Sequence, residues 1–443
     1  MKASKLFPFS GYKSWILSYP VVLCLAAAMF LMGFYMTAGG GGFAAANGFW
    51  LPDSPSYVSA ADHLLNGEPD LLRTPVYPLL IALIRATVGP VYAWKVLLLI
   101  QFLSFTASGL LLGRIAVKLT GSEKIAFWTT AAYLLFPGHI VMCVNIMTES
   151  FSISGVVLLI WFLLRHQPGQ PTWSDSILAG LTLIFLIYLR PIFLYLIPVL
   201  LVYFILLFLR FGRRYRISFV AGCTMLILSM VSLSAYKRSM TRTYGIHSIT
   251  MVSIVNNFST AKEAIGMHPE LAPTAELQAA IAEVEALHNQ GACDDAVALM
   301  PYYFANPVGF EDYTNRLLRF APKEVLKHVL FKRTPEVINS KVFIAYTRFP
   351  FNLVEMFNPT MHVYFVLIIW FIILWIRQIQ RSRKVPAVSA LLLMITLGIT
   401  ATSIIGAMGD WPRLNMPGIP AFLLLVGQLL TRYRPVNHSV PFI

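Results

Sequence analysis

Charge is scarce in this chain: of 443 residues only 12% are Asp, Glu, Lys or Arg, against 57% hydrophobic, and the mean hydropathy is +0.68. A soluble domain carries roughly twice that charged fraction, so the composition excludes one and reads as a polytopic membrane protein. Cysteine is scarcer still, with four in the whole chain. Three of them, Cys24, Cys143 and Cys223, lie in or beside apolar runs, and there is no C-x-x-C pair or His-rich cluster. Neither a zinc site nor a disulfide framework is encoded. Acidic residues are a minority, 20 against 34 Lys and Arg. Such an excess can mark a nucleic-acid binder, but these basic residues stand in short clusters beside apolar runs, as topology signals do. The chain has no internal repeat and no low-complexity segment, whereas inverted repeats mark many gradient-driven transporters. Its first apolar run lacks a small-residue cleavage site and is long enough to span, so it is expected to remain as a helix.

What is abundant is apolar sequence in runs near the ~20 residues that a helical span requires. The runs fall at 14–37, 93–117, 125–141, 148–164, 176–189, 191–209, 217–236, 361–376, 386–406 and 415–430, which predicts an all-α fold of about ten transmembrane helices. Threaded from a cytoplasmic N-terminus bearing Lys2, Lys5 and Lys13, every inner connection is basic. These connections carry Arg114, Lys118 and Lys124; Arg165; Arg210, Arg213, Arg214 and Arg216; Arg377, Arg381, Arg383 and Lys384; and Arg432 and Arg434. The positive-inside rule therefore supports one threading, with both termini cytoplasmic. It divides the chain into a seven-helix module over residues 1–236 with an external loop at 38–92, an external segment at 237–360, and a three-helix segment at 361–443. The external segment is expected to be a small, mainly helical subdomain. Leu277, Ile281, Val284 and Leu287 recur at helical spacing after Pro273 and Thr274, and the later run from Phe310 reads as helices broken at Pro322 and Pro335.

Some charges resist the topology rule. Arg73, Arg190, Lys237, Arg238 and Arg413 all fall on the outer side, where basic residues are disfavoured, and Asp53, Glu149 and Asp410 fall there too. Charges beside the membrane that topology does not explain are functional candidates by default. Asp53 stands between Pro52 and Pro55 in a stiff turn, and a pre-positioned carboxylate suits proton transfer. Glu149 directly precedes a full apolar run, a poor place for an acid facing lipid. The bland readings are snorkelling for Arg190, a solvated loop for Asp62, Glu68 and Asp70, and an aromatic belt for Tyr57 and Tyr77. His139 and His247 lack a partner at ligand spacing and read as structural rather than metal-binding. By position, Tyr57, Tyr77, Asp410 and His139 are the remaining candidates to line the pocket between those charges.

The run Asp53-Ser-Pro-Ser-Tyr57, followed by Ala60, Ala61, Leu64, Leu65 and Gly67 and then Arg73-Thr-Pro-Val-Tyr77-Pro78, resembles the first external loop of the GT-C glycosyltransferase superfamily. The resemblance is particularly to the bacterial branch related to protein O-mannosyltransferases and lipid A aminoarabinose transferases. Met147-Thr-Glu149-Ser looks like that family's second acidic position, and Arg413-Leu-Asn-Met-Pro417-Gly-Ile-Pro420 resembles the entry to its last helix, with Leu414 where the family usually has Tyr. The resemblance covers about residues 14–236 and 361–430, and the external segment matches no part of it.

It implies a hexosyl or pentosyl transferase of a bacterial inner membrane. The donor would be a sugar on a polyprenyl phosphate such as undecaprenyl phosphate, and the acceptor a lipid, glycan or protein met on the periplasmic face. Asp53 would be the general base of an inverting displacement. Glu149 would orient the acceptor, position Arg190 or share a divalent cation with Asp53. Arg190 and Arg413, with Arg73, Lys237 and Arg238 behind them, would meet the leaving phosphate. No strong metal-ligand set is visible, and a divalent cation stays open. The competing readings are a polyprenyl-linked polysaccharide polymerase or ligase, and a non-enzymatic transporter or flippase of a lipid anion.

Overall fold

The computed structural model describes residues 18–37, 48, 53–165, 173–289, 298–340, 361–382, 386–406 and 411–432. In hydrocarbon every backbone N–H and C=O must be paired within the chain, and the apolar runs accordingly fold as helices. Among the described residues there is no strand. In order the helices are α1 (Ser18–Met36), α2 (Ser54–Leu65), α3 (Val76–Thr120), α4 (Glu123–Leu134), α5 (Pro137–Val144), α6 (Glu149–Arg165), α7 (Trp173–Leu189), α8 (Leu196–Phe211) and α9 (Arg216–Tyr244). They continue with α10 (Met251–Ile265), α11 (Ala275–Asn289), α12 (Met300–Ala305), α13 (Pro307–Phe320), α14 (Pro322–His328) and α15 (Thr334–Asn339). The last four are α16 (Met361–Ser382), α17 (Ala387–Gly406), α18 (Trp411–Asn415) and α19 (Ile419–Arg432).

Among the described residues, seven helical stretches are long and apolar enough to cross a membrane, or eight if α4 and α5, bent by 48° at the break between them, form one span. The expected ten include two more, α6 and α7, which are apolar helices of 17 residues each. At 1.5 Å per residue each is about 25 Å long, short of a bilayer core of about 30 Å. The chain is an all-helical, multi-pass membrane protein.

The second span differs most from its expected bounds. Helix α3 begins at Val76 rather than near residue 93 and runs for 45 residues, with a break at Gly89, whose φ is 76° and ψ 162°. Only glycine adopts that conformation without strain, and Pro90 after it removes a backbone donor. The first part of α3 therefore lies in what the hydropathy pattern marks as external loop, and α2 precedes it there. In the core, α3 packs on α4 and α6, α6 on α7, α7 on α9, and α17 on α8 and α19. Close approach of α8 and α17 is fixed by Gly398: a Cβ there would overlap the Tyr195 ring, and the Tyr195 hydroxyl donates to the Ile395 carbonyl (3.2 Å).

A second apolar cluster is separate from the membrane core. It joins the end of α9 to α10, α11 and α13, with Phe258, Ile281, Phe310, Tyr313 and Leu317 each at most 1% exposed. Of the four apolar positions expected on α11, Leu277, Ile281 and Val284 are buried and Leu287 is exposed. Pro322 opens α14 as the reading of the run requires. Pro335 opens α15 directly after a π-helical turn, Val329–Arg333, so the chain there is rewound rather than broken.

Candidate active site

The start of α2 is built around an unusual cap. Asp is a strong N-cap residue because its carboxylate ordinarily accepts from the first free N–H groups. Asp53 occupies that position and makes no such bond. Its carboxylate turns instead to two arginines: Oδ1 lies 2.8 Å from Arg73 Nη2, and Oδ2 lies 3.1 Å from Arg413 Nη2. Pro55 in the first turn supplies helical φ without needing a donor. Ser54 donates to the Ile146 carbonyl (3.1 Å), pinning α2 to the break before α6.

Arg73 is aimed by its own loop. Asp70 Oδ1 accepts from the backbone N–H of Leu72 (2.8 Å) and Arg73 (2.7 Å), and Oδ2 meets His63 Nδ1 at 2.8 Å. Asp70 is 6% exposed, so the solvated-loop reading of this acid is corrected: it is the pivot of the turn. Glu68 is exposed and Asp62 pairs with Arg85 at 2.9 Å, as loop acids do. The Arg73 guanidinium lies 4.3 Å from the Tyr57 ring centroid and donates to Ser56 Oγ (2.7 Å) and the Tyr57 hydroxyl (3.3 Å). Stacking and a fork of donors together fix its plane.

Glu149, the first residue of α6, is fully buried. Its position at a helix N-terminus favours a negative charge. Oε1 lies 3.0 Å from Arg190 Nη1 and 3.4 Å from Arg413 Nε, while Oε2 is buried without a hydrogen-bond partner among the described residues. Arg190 stands at the end of α7, and Thr74 Oγ1 donates to the carbonyl of Leu189 beside it (3.2 Å), tying the Arg73 loop to that helix. The result is one row of alternating charge: Arg73, Asp53, Arg413, Glu149, Arg190. Three cations against two carboxylates leave one net positive charge, and Arg413 bridges the two acids. Burial pushes the Asp53 carboxyl up, but Arg73 and Arg413 together outweigh it and hold it below the usual carboxylate range.

The row lies at one end of the bundle, where α3 and α6 begin and α7 ends. The far ends of α3 and α6 meet through Lys118 Nζ and the Leu164 carbonyl (2.8 Å), and Arg165 pairs with Asp175 at the start of α7 (3.5 Å). Behind the row, Tyr57 and Tyr77 meet edge to face with centroids 5.1 Å apart, and both are buried, so they form the wall of this site rather than an aromatic belt. The Tyr77 hydroxyl donates to Gln101 Oε1 (2.8 Å). Gln101 Nε2 reaches the carbonyls of Asn145 (2.9 Å) and Cys143 (3.1 Å). Those carbonyls stand at the end of α5 and in the break just before Glu149, where water is not at hand to pair them. Gln101→Leu is therefore expected to cost about 1–3 kcal/mol of stability, the penalty for stranded buried acceptors. The check is a lowered thermal midpoint in detergent.

Other expected members stand apart. Lys237 and Arg238 are exposed on α9, and no contact joins them to the row among the described residues. His139 is fully buried between Phe105, Tyr133 and Phe136, with Nδ1 3.3 Å from the Tyr133 carbonyl: a packing residue, not a pocket wall. Asp410 lies outside the described residues. Ser56, which accepts from Arg73 Nε, and Asn415, two residues beyond Arg413, neighbour the row without any hydropathy signal. No group of three His, Cys, Asp or Glu side chains is placed to hold a metal among the described residues. Every carboxylate oxygen of the row except Glu149 Oε2 carries a guanidinium partner.

Fold and site define a class: a multi-pass helical membrane protein with a half-buried arginine–carboxylate row at one end of its bundle. No protein-family model matches the chain, and no curated protein does. Among solved structures it is similar over 96% of its length to the archaeal oligosaccharyltransferase AglB from Archaeoglobus fulgidus, in complex with an inhibitory peptide and a dolichol-phosphate, at 12% identity and TM-score 0.49. The chain spans about half of that protein, 53%. It is also similar to ArnT from Cupriavidus metallidurans bound to undecaprenyl phosphate, over 94% of this chain and 77% of that one, at 12% identity and TM-score 0.38.

Proposed function

We propose that the chain is a membrane glycosyltransferase that moves a hexose or pentose from a polyprenyl-phosphate carrier to a lipid, glycan or protein hydroxyl at the extracytoplasmic face, with inversion. The observation that carries this reading is Arg413 lying between Asp53 and Glu149, 3.1 Å from one and 3.4 Å from the other. A general base and the cations for a leaving anion thereby share one site. In the displacement the acceptor oxygen attacks the anomeric carbon as the bond from that carbon to the phosphate oxygen breaks. The phosphate leaves with the electron pair, and the acceptor proton passes to Asp53. Charge grows on the phosphate oxygens, where preorganised cations are worth most. Asp53 is a poor base while two guanidiniums hold it. A phosphate that recruits Arg413 frees one oxygen of Asp53 and raises its basicity at the moment it is needed. Glu149, held by Arg190, keeps Arg413 within reach of both partners.

The test is product binding and product loss. Undecaprenyl phosphate is expected to bind the purified protein in nanodiscs, as read by native mass spectrometry. Membranes lacking the gene are expected to lose a hexose or pentose mass from an envelope glycolipid, glycan or glycoprotein. Absence of both would refute the reading. For sidedness, single cysteines replacing Asn66 or Asn315, both exposed, are expected to react with an impermeant maleimide in intact cells. Labelling only after lysis would place the site on the opposite face.

A further inference from the structure

We propose that Arg333 is a positioning residue for Arg413, fixing from the external helices the membrane helix on which the Arg413 segment rests. At 1% exposure it heads the fully buried side chains by volume. A charge so buried is tolerated only with close partners. Glu263 on α10 supplies them: its Oε2 lies 2.9 Å from Arg333 Nε and 2.8 Å from Nη2, with His328 Nε2 at 3.3 Å on the same oxygen. Burial pushes the Glu263 carboxyl up, and its bonds to Arg333, His328 and Ser259 more than reverse this, so it is held below its ordinary value. The remaining guanidinium nitrogen, Nη1, donates to Thr260 Oγ1 (2.7 Å) and to the carbonyl of Ile405 (3.0 Å), and Thr260 Oγ1 lies 2.9 Å from both that carbonyl and the Asn256 carbonyl of its own helix.

Ile405 lies in the last turn of α17, where carbonyls have no partner within the helix and a cation is favoured. An arginine and a threonine from the external helices thus cap a membrane helix. Arg333 reaches it because it ends the π-helical turn Val329–Arg333, a wound-out turn that is rare and often found at functional sites. Helix α17 in turn holds the Arg413 segment. Thr400 Oγ1, which also meets the Thr396 carbonyl of its own helix at 2.9 Å, lies 3.0 Å from Asn415 Oδ1, two residues beyond Arg413, and Tyr364 shares Thr400 at 3.1 Å. The same helix is locked to Tyr195 at Gly398. With the end of α17 clamped by Arg333 and its middle bonded to Asn415, movement of the external helices is transmitted to the cation that bridges Asp53 and Glu149.

The consequence for turnover rests on the reading of Arg413 as a phosphate-binding group; the mechanical link does not. The test is hydrogen–deuterium exchange of the full chain in nanodiscs. Arg333→Met is expected to speed exchange of peptides spanning residues 403–416 by roughly tenfold or more, local opening being set by the contacts removed, while peptides from α3 are unchanged. Glu263→Gln, which keeps Arg333 and the side-chain volume, is expected to act in the same direction more weakly, and it replaces Arg333→Met if that variant does not fold. Unchanged exchange at 403–416 in the folded variant overturns the proposal, as does a uniform rise across all helices. Undecaprenyl phosphate affinity separates the two readings. If exchange rises at 403–416 but neither Arg333→Met nor Arg413→Gln alters binding, the clamp stands and the transferase reading falls.

Discussion

On the proposed transferase reading, Asp53→Asn is expected to yield a folded, inserted protein whose transfer rate is lower by about 10²–10⁴-fold, the share a positioned general base supplies. The substitution is nearly isosteric, and the amide oxygen still accepts from Arg73 or Arg413. What disappears is the proton acceptor. Because Asp53 also neutralises two guanidiniums, its loss leaves them more available to a phosphate, so polyprenyl phosphate affinity holds or rises while turnover collapses. That split between binding and rate distinguishes a base from a structural acid. The pH dependence has a definite sign. Its two arginines hold the Asp53 carboxyl below the ordinary value of 3.8. The ion pairs therefore favour the folded state above that value, and their contribution fades as the pH falls through the lowered one. At donor concentrations below saturation, activity that depends on ionised Asp53 in the free protein keeps its acid limb below the usual carboxylate range. Single-turnover rates in nanodiscs across acidic pH measure this, and wild-type turnover by the Asn variant removes Asp53 from the mechanism.

Arg413→Gln has the second large effect, about 10²–10³-fold in rate, comparable to losing one donor at a site of developing charge. Unlike the Asp53 change it weakens binding of polyprenyl phosphate as well. Neither carboxylate is stranded, since Asp53 keeps Arg73 and Glu149 keeps Arg190, so the protein remains folded. With one of its two cations gone, Asp53 rises toward its ordinary value and the acid limb of the rate moves up in pH. The double variant Asp53→Asn/Arg413→Gln is expected to be non-additive by about 0.5–3 kcal/mol, because the two side chains touch. Additive losses would mean that the contact has no part in the reaction.

Composition made the membrane class legible, since no soluble surface can be assembled from so few charges. The site residues were legible for a related reason: in a chain where charge is confined to topology signals, outward arginines and acids beside apolar runs stand out. Asp53, Arg73, Glu149, Arg190 and Arg413 are all of that kind. Their order along the row was not legible, because it depends on α18 meeting α2 and α6 in space. Lys237 and Arg238 fit the same pattern in sequence, but α9 continues to Tyr244 and turns them outward, which spacing alone does not reveal. Asp70 looked like an inexpensive loop acid because its work is done through backbone N–H groups of its own turn. Arg333 was hidden beside Lys332 in a basic stretch, and only a π-helical turn, which has no hydropathy signature, separates the buried neighbour from the exposed one.

Every cation of the row is an arginine, and a guanidinium stays protonated at any pH a cell meets. Acid can remove charge only from the carboxylate side of the row, so it disarms proton abstraction while leaving the attraction for phosphate intact or stronger. On the proposed transferase reading, the acidified protein is expected to behave as a trap, retaining the spent lipid carrier rather than surrendering it, with recovery on neutralisation paced by the carrier's departure.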